Sequence, residues 1–387
     1  MGAPADNHRS LDGLLRGPFP SSPDIGETVE KILARRREFG ISRLGAVTGL
    51  DWIGIPVVQV TRPTSRSVAV NQGKGLTYAH AAISGLMESL EGWASERIPS
   101  ERIWKAELGR MNTDGIWSHL LASTEVSEHV PLSWIEGWDM ISGTFRPVPL
   151  ALVDTDYIIP SPHPHWLERN TTGLAAGTSM QAAMTHACLE ILERNAHSLA
   201  MRTPHFFDRF QIDVSTIRTG KAGDIIERLS TKGFATGVWS MPSNHDLPAY
   251  WCQIMEGAGS VPLAPLPASG FGCDVSHDGA LTKALLEACQ SRLGAISAAR
   301  EDVIGSFYAP VNADELSIWR RGLSLAGRPY PATELGRPNE NPLTTALDAM
   351  VAAGAKAVIA VVLSSDESIP LHVVRIVAPA LETSADG

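Results

Sequence analysis

Apolar residues recur at helical spacing over 26–39, 77–97, 179–201, 222–234, 277–300 and 343–354, and each stretch is predicted to be a helix. Between them the pattern changes to short β-branched runs broken by Gly and Pro. ISRLGAVTGLDWIGIPVVQVTRP reads as strands and turns, and SRSVAV (65–70) as a further strand. VPLSWIEGWDMISGTFRPVPLALV (130–153) predicts a hairpin turning at SGT. IIPSPHPHWLERN carries three prolines and predicts a loop. ATGVWSMPSNHDLPAYWCQIME predicts two strands around a polar turn, and AKAVIAVVL (355–363) and HVVRIV (372–377) two more. The fold class expected is α+β, with mixed or antiparallel sheets and long helices. One catalytic domain is expected over 26–381, between mobile tails at 1–25 and 382–387.

The stretch GKGLTYAHAAISGLMESLE (73–91) places Glu88 and Glu91 on a helix rich in Ala, Leu, Ile and Met. Like charges at this spacing repel. A lone E-x-x-E ordinarily marks a solvated face, but this one recurs. Gly75, Thr77, Ala81, Ser84, Glu88 and Glu91 match Gly177, Ser179, Ala183, His186, Glu190 and Glu193 at one constant offset. A weaker third copy sets Ala280, Lys283, Glu287 and Gln290 in the places of Ala81, Ser84, Glu88 and Glu91. At ~100° per residue these four places fall within about 80° of arc, a single polar stripe. Carboxylates brought together by related helices need cations, because repulsion and desolvation otherwise forbid the arrangement. Mg²⁺ takes few carboxylates and completes its shell with water and phosphate oxygens. The stripes therefore point to a Mg²⁺–nucleotide site, with Lys74, Arg194, Arg292 and Arg300 as candidate phosphate partners.

Composition narrows the remaining classes. Of 387 residues, 44% are hydrophobic and 19% charged, as in a globular protein with a sizeable core. A net charge of −10 argues against a nucleic-acid partner. No apolar run reaches membrane-spanning length and no signal-like segment opens the chain, so a cytoplasmic protein without a membrane partner is expected. Cys188, Cys252, Cys273 and Cys289 form no CxxC pair and read as reduced, buried thiols. His163-Pro164-His165 reads as a turn rather than a metal site, and His186 and His197 are candidate bases more simply read as packed side chains.

The three blocks GKGLTYAHAAISGLMESLE, NTTGLAAGTSMQAAMTHACLEILERNA and GFGCDVSHDGALTKALLEACQSRL resemble, in order and spacing, the signature blocks of YcaO-domain proteins. The resemblance runs from about residue 40 to about residue 380 and is nearest to the subgroup encoded beside TfuA partners. It implies a YcaO-type fold with helices lining an ATP–Mg²⁺ site. It also implies ATP-dependent activation of a backbone amide in a ribosomally made precursor peptide. The amide oxygen attacks the γ-phosphate, and a nucleophile then gives an azoline, a thioamide or an amidine. A TfuA-like sulfur-delivery partner is implied for the thioamide route, and a homodimer is one assembly open to the chain.

By the same resemblance Glu88, Glu91, Glu190 and Glu193 are the magnesium carboxylates and catalytic set. Lys74, Ser84, Thr178, His186, Arg194, Glu287, Gln290 and Arg292 are the nucleotide-contacting set. Three positions depart from the family pattern: Gly92 stands for an arginine, Thr178 for an asparagine and His186 for a glutamine. The ending VAPALETSADG lacks the PxPxP tail of many azoline-forming members. A catalytically idle scaffold that binds a precursor peptide for a partner enzyme is the competing reading, and the intact four-glutamate set speaks against it.

Overall fold

The computed structural model describes residues 23–112, 114–121, 127–259, 262–264, 266–300, 308–309, 311–331, 341–366, 368–379, 381 and 383. The expected N-terminal tail to residue 22 and most of the C-terminal tail lie outside them. Leaving single turns unlabelled, the elements in order are α1 (Ile25–Ala34), β1 (Arg43–Ala46), β2 (Val57–Thr61), β3 (Val70–Lys74), α2 (Tyr78–Ser95), β4 (Ile103–Glu107), β5 (Pro131–Asp139), β6 (Thr144–Pro149), β7 (Leu174–Gly177), α3 (Met180–Arg202), α4 (Gly220–Thr231), β8 (Phe234–Ser240), β9 (Ala249–Glu256), β10 (Ala268–Cys273), α5 (His277–Ser297), α6 (Ala313–Leu323), α7 (Pro342–Ala352), β11 (Ile359–Asp366) and β12 (Leu371–Val377).

These strands build three antiparallel sheets, ordered β1-β2-β3, β10-β9-β8 and β4-β5-β11-β12-β7, with β6 paired to β5. The SGT hairpin forms as β5 and β6. The expected strand over 65–70 does not: its last residue, Val70, opens β3, and residues 65–69 are an irregular approach to it. That approach is tied down by Glu96, whose Oε1 accepts from the Ser65 and Ser67 hydroxyls and from the Arg66 amide. A backbone serving this carboxylate does not serve a ladder.

The internal repeat is a structural one. Each copy runs strand, capped turn, long helix: β3 into α2, β7 into α3, and β10 into α5. The helices open on hydroxyl caps. Thr77 accepts from the His80 amide, Ser179 from the Ala182 amide and Ser276 from the Gly279 amide. Each cap contributes ~1 kcal/mol. The helix then folds back on its own strand at a distance that excludes a side chain. A β-carbon on Gly75 would lie 2.6 Å from the Ala81 nitrogen, and one on Gly177 would lie 2.6 Å from the Ala183 nitrogen. The same close approach at corresponding residues means the two copies share one backbone geometry.

Each helix is packed on its apolar side. On α2, Leu86 and Leu90 are fully buried in a cluster with Ile32, Val60, Leu174 and Val373, each worth ~2 kcal/mol of burial. On α3, Met184, Cys188 and Leu192 join Ala360, Val374 and Met350. On α5, Leu281, Leu285 and Cys289 join Ile225, Tyr250 and Ile254. Glu88 lies ~200° around the helix from Leu86, so the acidic stripe emerges away from the core that anchors it. Among the described residues no helix is long and apolar enough to cross a membrane.

Candidate active site

The acidic stripes of α2, α3 and α5 converge, and one carboxylate of each helix is held by main chain from a neighbouring repeat or from its own. Glu91 of α2 reaches β7, where its Oε1 accepts from the Ala176 amide at 2.8 Å. Glu190 of α3 accepts from the Gly173 amide, just before β7, at 3.0 Å. Glu287 of α5 accepts from the Phe271 amide of β10 at 3.3 Å. Its other oxygen receives Lys74 Nζ from the end of β3 at 2.6 Å. The first repeat is thereby linked to both of the others, and Glu91 and Glu190 are held by β7 and the residue that leads into it.

The electrostatics register this gathering. Burial pushes the Glu88 carboxyl from its ordinary 4.5 to about 7, against the pull of Lys74, Arg300 and a hydrogen bond from Asn71. Burial also raises Glu91, and the Glu88 and Glu190 charges add to it. Glu190 and Glu193 are raised by burial as well, with the Glu287 charge adding to both. Glu287 is the exception. Burial alone would raise it, but the Lys74 ammonium and its hydrogen bond, with Arg194 farther off, hold it below the ordinary range. Arg194 lies 3.7 Å from Glu193 and over the Phe271 ring, and its charge is sustained by Glu193, Glu190 and Glu287 despite burial. His186 has accessible surface yet is surrounded by protein, as a side chain lining a recess is; burial, Lys283 and Lys74 hold its imidazole down to about 4. It is neutral at physiological pH.

The rest of the expected nucleotide set falls around this core with one exception. Ser84 Oγ accepts from the Lys74 amide at 3.4 Å. Thr178 joins β7 to the cap Ser179 and is half-buried, as is Gln290, one turn beyond Glu287 on α5. Arg292 is the exception and leaves the phosphate set. It is 1% exposed, bonded through Nε to Asp51 at 3.0 Å and through Nη2 to Glu256 at 2.8 Å, and its guanidinium lies over Phe234. Two residues beyond Gln290 means ~200° around the helix, so its side chain enters the opposite face. Arg300, past the end of α5, does lie within electrostatic reach of Glu88.

Other candidates resolve simply. His163 Nε2 bonds Asp154 at 2.7 Å, so the His-Pro-His turn is a hydrogen-bonded loop. His197 packs edge-on against Trp251 and Phe271. All four cysteines are free and buried, and burial lifts the Cys289 thiol to about 12, which removes it as a nucleophile.

One basic residue of the site was not visible in the sequence. Arg375, on β12, is 4% exposed and lies within reach of Glu190, Tyr157 and Asp154. Its Nη2 donates to the Asn170 carbonyl at 2.9 Å. In HVVRIV it reads as one polar position of a strand, and nothing in that pattern says that the side chain is buried.

The carboxylates and cations fit a divalent ion with a polyphosphate. Buried acids with raised pKa values are acids waiting for positive charge. Among the described residues no three His, Cys, Asp or Glu side chains are grouped so as to hold a metal ion by themselves, and Mg²⁺ characteristically takes one or two carboxylates and draws its remaining ligands from phosphate and water.

Comparison with known proteins agrees with this architecture. The chain is 28% identical over 378 residues to an uncharacterized protein in the tfuA 3′ region of Rhizobium leguminosarum bv. trifolii, covering 93% of this chain and 88% of that one. Its fold matches a YcaO protein of Methanopyrus kandleri solved with AMPPCP and Mg²⁺, with a TM-score of 0.68, 21% identity, and coverage of 93% of this chain and 91% of the other. It also matches a heterocyclase solved with substrate and cofactor, at a TM-score of 0.68 and 16% identity, spanning 96% of this chain but 56% of that longer one. The family model described as YcaO cyclodehydratase, ATP- and Mg²⁺-binding, matches residues 72–382, and the chain belongs to that family.

Proposed function

We propose that this protein uses ATP and Mg²⁺ to phosphorylate the oxygen of a backbone amide in a ribosomally made peptide, after which external sulfide gives a thioamide. The observation that carries the reading is the meeting of Glu88, Glu91, Glu190 and Glu193 from two repeats, beside the Lys74–Glu287 pair that joins β3 of the first repeat to α5 of the third. Such a cluster is costly when empty and favourable when filled. Azoline and amidine formation share the activation step and differ in the nucleophile. The thioamide is preferred because the Rhizobium relative lies beside tfuA, which makes a TfuA-like sulfur-delivery protein the natural partner.

An amide oxygen is a poor nucleophile and, once phosphorylated, a good leaving group. The chain's task is to hold that oxygen in line with the γ-phosphate and to neutralise charge on the transferring group. Glu88, Glu91, Glu190 and Glu193 would hold Mg²⁺, which supplies charge neutralisation on the phosphates when bound. Lys74 and Arg194 add fixed positive charge that needs no reorganisation during the reaction. Neutral His186 is available to hydrogen-bond the incoming nucleophile.

The test is mass spectrometry of a cognate peptide incubated with protein, ATP and Mg²⁺, with and without sulfide and the TfuA-like partner. Exchange of one oxygen for sulfur, dependent on ATP and sulfide, is the expected result. Loss of one water without sulfide would replace the thioamide by ring closure. An unchanged peptide with no ADP formed under any condition would refute the activation itself.

A further inference from the structure

The Arg375 guanidinium is only partly satisfied. Nη2 is spent on the Asn170 carbonyl, but Nε and Nη1 are buried without a hydrogen-bond partner. The nearest carboxylates do not serve them. Both oxygens of Asp154 are occupied, one by His163 Nε2 at 2.7 Å and one by Arg169 Nη2 at 2.5 Å. Glu190 acts on Arg375 through its charge and gives its Oε2 to the Gly173 amide. A buried guanidinium with two idle donors beside an acidic recess is a site built for an oxyanion that arrives from outside.

Its position says which oxyanion. Lys74 acts on Glu88, Glu193 and Glu287, whereas Arg375 acts on Glu190, so the two cations attend different glutamates. Tyr157 neighbours Arg375, and Tyr157, Ile158 and Ile159 form an exposed apolar stretch, with Ile159 96% exposed. Exposed apolar surface next to the recess suits a peptide. The phosphate nearest the peptide is the one to be transferred.

We propose that Arg375 contacts the terminal phosphate of the bound nucleotide through Nε and Nη1, at the Glu190 end of the recess. This rests on the nucleotide reading above and adds a residue and an orientation to it: the γ-phosphate lies toward β12 and the 154–170 loop, and the Lys74 end takes the phosphates nearer the nucleoside. Arginine suits the role because its donors keep their charge and direction when buried.

The experiment is calorimetric titration of the full chain and its Arg375→Lys and Arg375→Gln variants with Mg²⁺-AMPPCP and, separately, Mg²⁺-ADP. Thermal unfolding without nucleotide checks that each variant is folded, and the lysine variant keeps the test available if the glutamine variant does not fold. Loss of one charge-assisted contact predicts a fall in triphosphate affinity of about 10- to 100-fold, with ADP affinity changed less than ~3-fold. Wild-type affinity for both nucleotides in folded variants overturns the assignment. So does an equal loss for both, or a lowered melting temperature with unaltered discrimination, because those are the effects of a purely structural clamp on Asn170. A wild-type chain that binds neither nucleotide overturns the parent reading instead.

Discussion

Replacing Glu88 by glutamine should stabilise the metal-free protein and remove its response to Mg²⁺ and nucleotide. The Glu88 carboxyl is raised from 4.5 to about 7 chiefly by burial. A carboxyl whose folded pKa exceeds its unfolded one binds more protons in the folded state. Its contribution to stability is therefore complete below about 4.5 and is lost as pH rises through about 7. Above pH 8 the full shift corresponds to ~3 kcal/mol of destabilisation, and partial solvent access reduces this to about 1–2 kcal/mol. Glutamine keeps the shape and the Asn71 hydrogen bond but carries no charge. Differential scanning calorimetry at pH 8 should show Glu88→Gln melting about 1–3 °C higher than wild type, and the gap should narrow at pH 5.5 and close by about pH 4. Adding Mg²⁺-AMPPCP should raise the wild-type melting temperature and leave the variant nearly unmoved. A variant less stable than wild type at pH 8, or one that retains the full nucleotide-induced shift, would refute the claim that this buried charge is tolerated for the sake of a cation.

Further outcomes follow from the same structure. Magnesium binding requires the ionised acids, so titration with Mg²⁺-AMPPCP at pH 6.5 should release protons, and apparent affinity should fall as pH drops below about 7, measured by calorimetry in buffers of different ionisation heat. Arg292→Met leaves Asp51 and Glu256 unpaired in the interior and should cost about 3–5 kcal/mol in urea unfolding. Any nucleotide effect in the folded fraction should be small, since Arg292 faces away from the site. Gly177→Ala drives a methyl to 2.6 Å from the Ala183 nitrogen, backbone that cannot yield without moving α3, and should both destabilise the fold and weaken nucleotide binding, read by unfolding and titration together. All four cysteines should resist a thiol reagent in the native protein and react after denaturation.

The sequence pattern located the long helices to within a few residues because their starts are written locally, as Thr77, Ser179 and Ser276 before an apolar run. The repeat spacing likewise announced the acidic stripe, since E-x-x-E on one helix is ordinary and on related helices is not. Strands β7 (LAAG) and β10 (ASGFGC) were illegible for the opposite reason. They contain almost no β-branched residues, because small residues are what let α3 and α5 lie against them. Helix α6 has only Leu323 fully buried and presents too thin an apolar face to stand out. The two arginines illustrate the limit at the site. Arg292 was placed with the phosphates because it stands in the right block, but two residues reverse the face of a helix. Arg375 was overlooked because burial of a polar strand position depends on what packs over it, here the Asn170 loop and α3, which no local pattern specifies.

On the reading proposed above, glutamates from two repeats share divalent ions that grip a triphosphate. Crystals grown with AMPPCP and Mn²⁺ in place of Mg²⁺ test it most directly through the anomalous signal of the metal. Anomalous peaks are expected within bonding distance of side-chain oxygens of Glu88, Glu91, Glu190 and Glu193 and of phosphate oxygens. Nucleotide bound elsewhere on the chain, or bound in the recess with no metal peak within coordination distance of any of these four glutamates, would contradict it.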